Sequence, residues 1–125
     1  MRSPLRASTL ALLALPLTMF GASAQIAVSS NDNKQIINDG VGAIPANPPA
    51  DTVAIIDLGA SPPKLIAEIS APNSVQGPPQ NVAVSADESF ALVASAMKHD
   101  PADPKKLTPD DRVSVIDLKA SPPAV

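Results

Sequence analysis

Two stretches of this chain are near-copies of each other, and that constrains the fold more than any other feature. Asp51-Thr52-Val53-Ala54-Ile55-Ile56-Asp57-Leu58-Gly59-Ala60-Ser61-Pro62-Pro63-Lys64-Leu65 aligns with Asp111-Arg112-Val113-Ser114-Val115-Ile116-Asp117-Leu118-Lys119-Ala120-Ser121-Pro122-Pro123-Ala124-Val125. Nine of the 15 positions are identical at an offset of 60 residues, where chance would give about one, so the fold is built from a repeated unit. A weaker match sets Ala27-Val28-Ser29-Ser30-Asn31-Asp32 on Ala83-Val84-Ser85-Ala86-Asp87-Glu88 at an offset of 56, with Ile36-Ile37 falling on Leu92-Val93. The difference between the offsets predicts a longer loop in the second copy, within 97–110. That segment is polar and holds Pro101, Pro104 and Pro109, as suits a surface connection.

The copied segments read as strands. In 53–58 one face carries Val53, Ile55 and Asp57 and the other Ala54, Ile56 and Leu58; 113–118 alternates in the same way. Short β-branched runs that are apolar on both sides belong to a sheet covered on both faces. Runs 65–69 and 81–85 are also short and apolar, and the Pro pairs at 62–63 and 78–79 exclude helix between them. Asp57 and Asp117 stand where the strand should turn, placed to accept hydrogen bonds from the turn's backbone amides. Segment 86–97 admits two readings. Ser85-Ala86-Asp87-Glu88 has the pattern of a helix capping box, followed by Phe90, Val93, Ala94 and Met97 at helical spacing. The other reading is a turn through 86–89 with a returning strand at 90–95. The turn-forming counterpart Asn31-Asp32-Asn33 and the β-branched Ile36-Ile37 favour this hairpin.

Composition narrows the function classes. With 45% apolar and 17% charged residues, the chain has the makings of a packed core rather than of a disordered segment, and its length allows one domain at most. The absence of Cys excludes disulfides, a thiolate nucleophile and Cys-ligated metal. A net charge of −3 offers no basic surface to nucleic acid. Lys105-Lys106 is isolated and has no aromatic neighbour for base stacking. Residues 1–24 read as a secretory signal peptide: Arg2 and Arg6, then an apolar run from Leu10 to Phe20, then Ala22-Ser23-Ala24 as the cleavage motif before Gln25. The run is too short for a membrane anchor and Pro16 interrupts it. These features predict a periplasmic or extracellular protein, and a mature chain of 25–125 whose single aromatic residue is Phe90. Its core must therefore be built from Val, Ile, Leu and Ala.

The order Asn81-Val82-Ala83-Val84-Ser85, turn, Phe90-Ala91-Leu92-Val93, loop, Arg112-Val113-Ser114-Val115-Ile116-Asp117 resembles the YVTN-type β-propeller repeat, a family with secreted YncE-like and lactonase-like members. The resemblance covers about residues 26–125. Ala-Asp-Glu-Ser stands where the family's Pro-Asp-Gly turn would be, and Phe90 stands in a position where Tyr is frequent. The fold it implies is all-β, an incomplete β-propeller. Residues 26–29, 35–38, 52–58 and 64–70 would form one four-stranded antiparallel blade (25–75), and 81–85, 90–96 and 112–118 three strands of the next (76–125). Propellers close with about four to eight blades, so the chain reads as an N-terminal fragment or truncated product whose partners include the remaining blades.

Chemistry-bearing constellations are few. His99-Asp100-Pro101-Ala102-Asp103 is the one segment with ligand-type residues, and His99, Asp100 and Asp103 are weak metal candidates because strong motifs bring more ligands at fixed spacing. Asp110-Asp111 reads as a turn before a strand. Segment 41–50 reads as an extended, polyproline-like connector. No phosphate loop, nucleophile elbow or helical His pair occurs, and nothing points to a cofactor, a catalytic residue or a particular ligand. Two function classes follow: a non-catalytic binding or scaffold module, or part of a lactonase-like enzyme whose active site lies in other blades. With one His, two Glu and Arg112 at spacings that join into no site, the first is favoured.

Overall fold

The structure is a computed structural model that describes residues 25–45, 47–74, 76 and 81–125. The expected signal peptide, its cleavage motif and the Pro pair at 78–79 lie outside the described residues. The described chain is all-β, without helix, in three antiparallel sheets that do not close into a barrel. β1 (Ile26–Asn31), β4 (Thr52–Asp57) and β5 (Lys64–Ser70) form the first three-stranded sheet, in the order β1-β4-β5. β2 (Ile36–Asn38) and β3 (Val41–Ala43) form a separate hairpin, and β6 (Val82–Val84), β7 (Phe90–His99) and β8 (Leu107–Asp117) form the second three-stranded sheet.

The repeat is visible in the geometry. Ile26 pairs with Asp57 in the first sheet and Phe90 with Asp117 in the second, so β1–β4 corresponds to β7–β8 residue by residue. Asp57 then pairs with Lys64, and Asp117 bridges Ala124 at the same point. Both turns are closed by the expected aspartates. Asp57 Oδ1 accepts from the amides of Gly59 and Ala60 (2.8 and 3.3 Å) and Asp117 Oδ1 from those of Lys119 and Ala120 (2.8 and 3.0 Å). The Ser61–Pro62 and Ser121–Pro122 bonds are both cis.

Four expectations need correction. Segment 35–38 is not a strand of the first sheet; β1 pairs directly with β4, and 36–38 folds back on 41–43. The cause is Asp39-Gly40, with φ of 50° and 79°, the two-residue pair that a tight hairpin turn demands and that Gly supplies without strain. By the same token 41–43 is strand rather than connector, and the expected four-stranded sheet has three strands. β1 occupies the place of β7 rather than of β6, so the offset-56 match does not describe the pairing. Finally, half of 97–110 is strand. Met97 pairs with Pro109, Lys98 with Thr108 and His99 with Leu107, which leaves only 100–106 as a turn. The inserted residues lengthen the hairpin because its backbone groups can continue the ladder instead of relying on water. Asp110-Asp111 therefore sits inside β8, at a register shift opposite 95–97, and not in a turn.

The hairpin reading of 86–97 is the one the structure adopts, since β7 is continuous from Phe90. Ser85 Oγ accepts from the amides of Ser89 and Phe90 (3.0 and 3.1 Å) and donates to Asp87 Oδ1 (2.7 Å). Hydrogen bonds from the Ser85 and Ser89 hydroxyls hold the Asp87 carboxyl down at about 2. Glu88 takes a φ of 53° here, a left-handed position that a Gly would occupy without steric cost.

The two three-stranded sheets stack face to face on one aliphatic core of Val53, Ile55, Ala71, Ala91, Val93 and Ile116, flanked by Ile26, Val28, Ile69 and Val82. Different faces of the repeat meet there. Val53 and Ile55, exposed by 0% and 1%, turn inward from β4, whereas their equivalents Val113 and Val115 on β8 point outward at 58% and 55%. The second sheet instead turns Ala91, Val93 and Ile116 inward. Ile55→Ala is expected to destabilise the protein by about 2–5 kcal/mol through the cavity it leaves. Ile37→Ala, on the exposed hairpin, should stay within about 0.5 kcal/mol. Urea unfolding of both variants checks this, and equal costs would contradict the stated core.

Candidate functional site

A cleft of about 270 Å³ opens between the two sheets, lined by Lys34, Pro48, Pro49, Ala50 and Asp51 on one side and Met97, Lys98, His99 and Arg112 on the other. It is the place where charged side chains of both repeats converge.

The first-sheet wall is a buried polar knot. The turn after β1 carries Lys34 inward, and its Nζ donates to Asp51 Oδ2 at 2.6 Å, lies 2.9 Å from Asp32 Oδ1 and also donates to the Asn73 carbonyl. Asp51 Oδ1 accepts from the amide of Asn33 at 3.0 Å. Asn73 is fully enclosed, and its Nδ2 donates to the carbonyls of Thr52 and Ala71 (3.0 and 3.1 Å), with Asn31 O at 3.3 Å. Three segments far apart in sequence, 31–34, 51–52 and 71–74, are thereby tied at one point. Deleting one member would strand buried charge, which is why such knots fix geometry even where their net stabilisation is small. Asn73 Oδ1 is buried and has no partner among the described residues.

The second-sheet wall is built at the β8 irregularity. The register shift between Ser95 and Met97 turns the Asp110 side chain fully away from solvent. There both its oxygens accept from Arg112 Nε (2.8 and 3.0 Å), Arg112 Nη2 lies 2.8 Å away and Lys98 Nζ 3.7 Å away. The Arg112 hydrogen bonds hold the Asp110 carboxyl at about 2 despite its burial, with Ser95 and the charges of Arg112 and Lys98 contributing; Arg112 is raised in return. One carboxylate faces two cations here, whereas on the opposite wall Lys34 faces two carboxylates. The cleft is thus electrically polarised, basic toward the second sheet and acidic toward the first.

Of the weak metal candidates, only His99 reaches the cleft. Its Nδ1 lies 3.0 Å from the Pro104 carbonyl, and its Nε2 is buried without a partner among the described residues. A carbonyl can only accept, so Nδ1 carries a proton and donates to Pro104. Asp100 Oδ1 accepts from the amide of Ala102 (2.8 Å) and Asp103 Oδ1 from that of Lys105 (3.1 Å), with Lys106 paired to Asp103 at 3.3 Å. These carboxylates shape the 100–106 turn instead of joining His99. Among the described residues, no three His, Asp or Glu side chains are grouped to hold a metal ion. Sequence reasoning missed Lys34, Asp51 and Asn73, because their partners lie up to 42 residues away along the chain, and the inward Asp110, because the register shift that encloses it has no local signal.

No protein-family model, curated protein or solved structure matches this chain. Among the described residues no helix is long and apolar enough to cross a membrane.

Because the folded-state carboxyl of Asp110 lies below its ordinary 3.8, it contributes stability that is fully present above about pH 4 and lost as the pH falls toward 2. Asp87 acts in the same window. In urea unfolding across pH 2–5, Asp110→Asn should therefore lose less stability on acidification than the parent chain does, without becoming pH-independent. An unchanged slope would contradict the Arg112–Asp110 assignment.

Proposed function

We propose that the chain is a secreted or periplasmic module of a YVTN-type β-propeller and serves as a non-catalytic binding or scaffold element, with the polarised cleft between its repeats as the contact site. The observation that carries this reading is the sense of stacking. Successive repeats bring unlike faces together, as a series of similar blades around an axis requires, rather than like faces as in a two-sheet sandwich. The chemistry of the cleft supports a binding role. Its cations and carboxylates are already matched in ion pairs, and the chain's single imidazole is committed to a backbone carbonyl at Nδ1 and enclosed at Nε2. No hydroxyl is hydrogen-bonded to that imidazole among the described residues, so a histidine-activated Ser or Thr nucleophile is not assembled there.

Secretion gives the first described residue a role. The Gln25 nitrogen donates to Glu88 Oε1 at 2.8 Å, joining the start of the first sheet to the β6–β7 turn of the second. After cleavage behind Ala24 that nitrogen is the α-ammonium of the mature chain, and the contact becomes an ion pair. Mass spectrometry of the exported protein should find Gln25 at its N-terminus; a soluble product retaining Met1 would contradict export. A chromogenic γ-lactone incubated with the chain should be hydrolysed no faster than in buffer. Saturable turnover that disappears in His99→Ala would overturn the non-catalytic reading in favour of a lactonase-like one.

A further inference from the structure

The outer face of the second sheet is apolar and uncovered. Leu92 and Ala94 on β7 and Val113 and Val115 on β8 share it, and Leu92, Ala94 and Val113 line, with Asn81, Val82 and Ala83, a groove of about 330 Å³ beside Val115. What covers such a face is shown inside the molecule. The register that equates Ile26–Asp57 with Phe90–Asp117 makes this face the counterpart of Val28, Val53 and Ile55 in the first sheet. There it is sealed by Ala91, Val93 and Ile116. The counterparts of Ala91, Val93 and Ile116 are Ala27, Ser29 and Ile56 on the outer face of the first sheet, where Leu65 pairs with Ile56 and is exposed. Apart from Ser29 in the place of Val93, each molecule therefore carries an uncovered equivalent of each half of an interface it already makes internally.

We infer that a second copy of this chain docks head to tail, its Ala27–Ile56–Leu65 face on the exposed Leu92–Val113–Val115 face and its groove. The contact is heterologous: using one groove leaves the partner's groove free, so copies add in sequence until the rotation closes a ring or the series stays open. The inference rests on the same-sense stacking of the proposed module, and is independent of whether the protein is secreted or catalytically inert.

The test uses two variants at exposed positions, Val115→Asp to disable the groove and Leu65→Asp to disable the opposite face, with Val113→Asp as a second groove variant and circular dichroism confirming the fold. In sedimentation velocity the parent chain should show species heavier than the monomer that grow with concentration. Each variant alone should be monomeric, with self-association weakened by at least about tenfold, since a buried unpaired carboxylate costs more than the ~1.4 kcal/mol that a factor of ten represents. Mixed in equal amounts, Val115→Asp and Leu65→Asp retain one intact face each and should form a dimer and nothing larger. Three results would overturn the inference: a parent chain that stays monomeric at all concentrations, a Leu65→Asp variant that still dimerises through like faces, or a mixture that stays monomeric. None of these would by itself disturb the internal stacking of the two sheets.

Discussion

The structure depends on one contact, the burial of Val53 and Ile55 of the first repeat against Ala91, Val93 and Ile116 of the second. A three-stranded sheet has no independent core, and this chain has almost no aromatic residues with which to make one. Burying a Val or Ile side chain is worth about 1.5–3 kcal/mol, so the few side chains at this interface supply the main reason for either sheet to persist. Polar ties then fix how the sheets meet. Ser30 Oγ donates to Asn81 Oδ1 at 3.0 Å, Asn81 Nδ2 to the Ser74 carbonyl at 3.0 Å, and the Gln25 amide to Glu88. These bonds select an orientation for a stack that the aliphatic contact alone leaves free to slide.

From that arrangement the cleft follows. Stacking brings the Lys34 turn of one repeat opposite the long β7–β8 hairpin of the other, and the residues added to that hairpin in the second copy provide Lys98 and His99. The repeat supplies the frame, while its irregularities supply the chemistry: the shift that turns Asp110 inward, the turn that carries Lys34, and the imidazole pinned by Pro104. Function on a repeated scaffold generally sits where copies differ.

Much of the frame was legible in the sequence. The 60-residue copy foretold two equivalent strands with aspartate-closed turns, and both appear with the bonds expected of them. Alternating apolar residues on 53–58 and 113–118 foretold sheets covered on both faces, whereas only one face of each is well covered. The Asp39-Gly40 pair is a readable hairpin signal, and the turn it makes takes 35–38 out of the first sheet. Other features were out of reach. Whether an insertion loops out or extends a ladder depends on the strand beside it, and the Lys34 knot joins residues whose proximity only the finished fold creates. Glu88 in a left-handed position gives no local sign, because the residue that would announce it is a Gly that this turn lacks.

The central claim is that unlike faces of the repeat meet in the core. Methyl–methyl nuclear Overhauser contacts in an Ile/Val-labelled chain test it most directly. The account predicts contacts from Val53 and Ile55 to Val93 and Ile116, with Val113 and Val115 showing none to Val53 or Ile55. Contacts joining Val53 and Ile55 to Val113 and Val115 would mean that like faces are paired in a sandwich, and would contradict it.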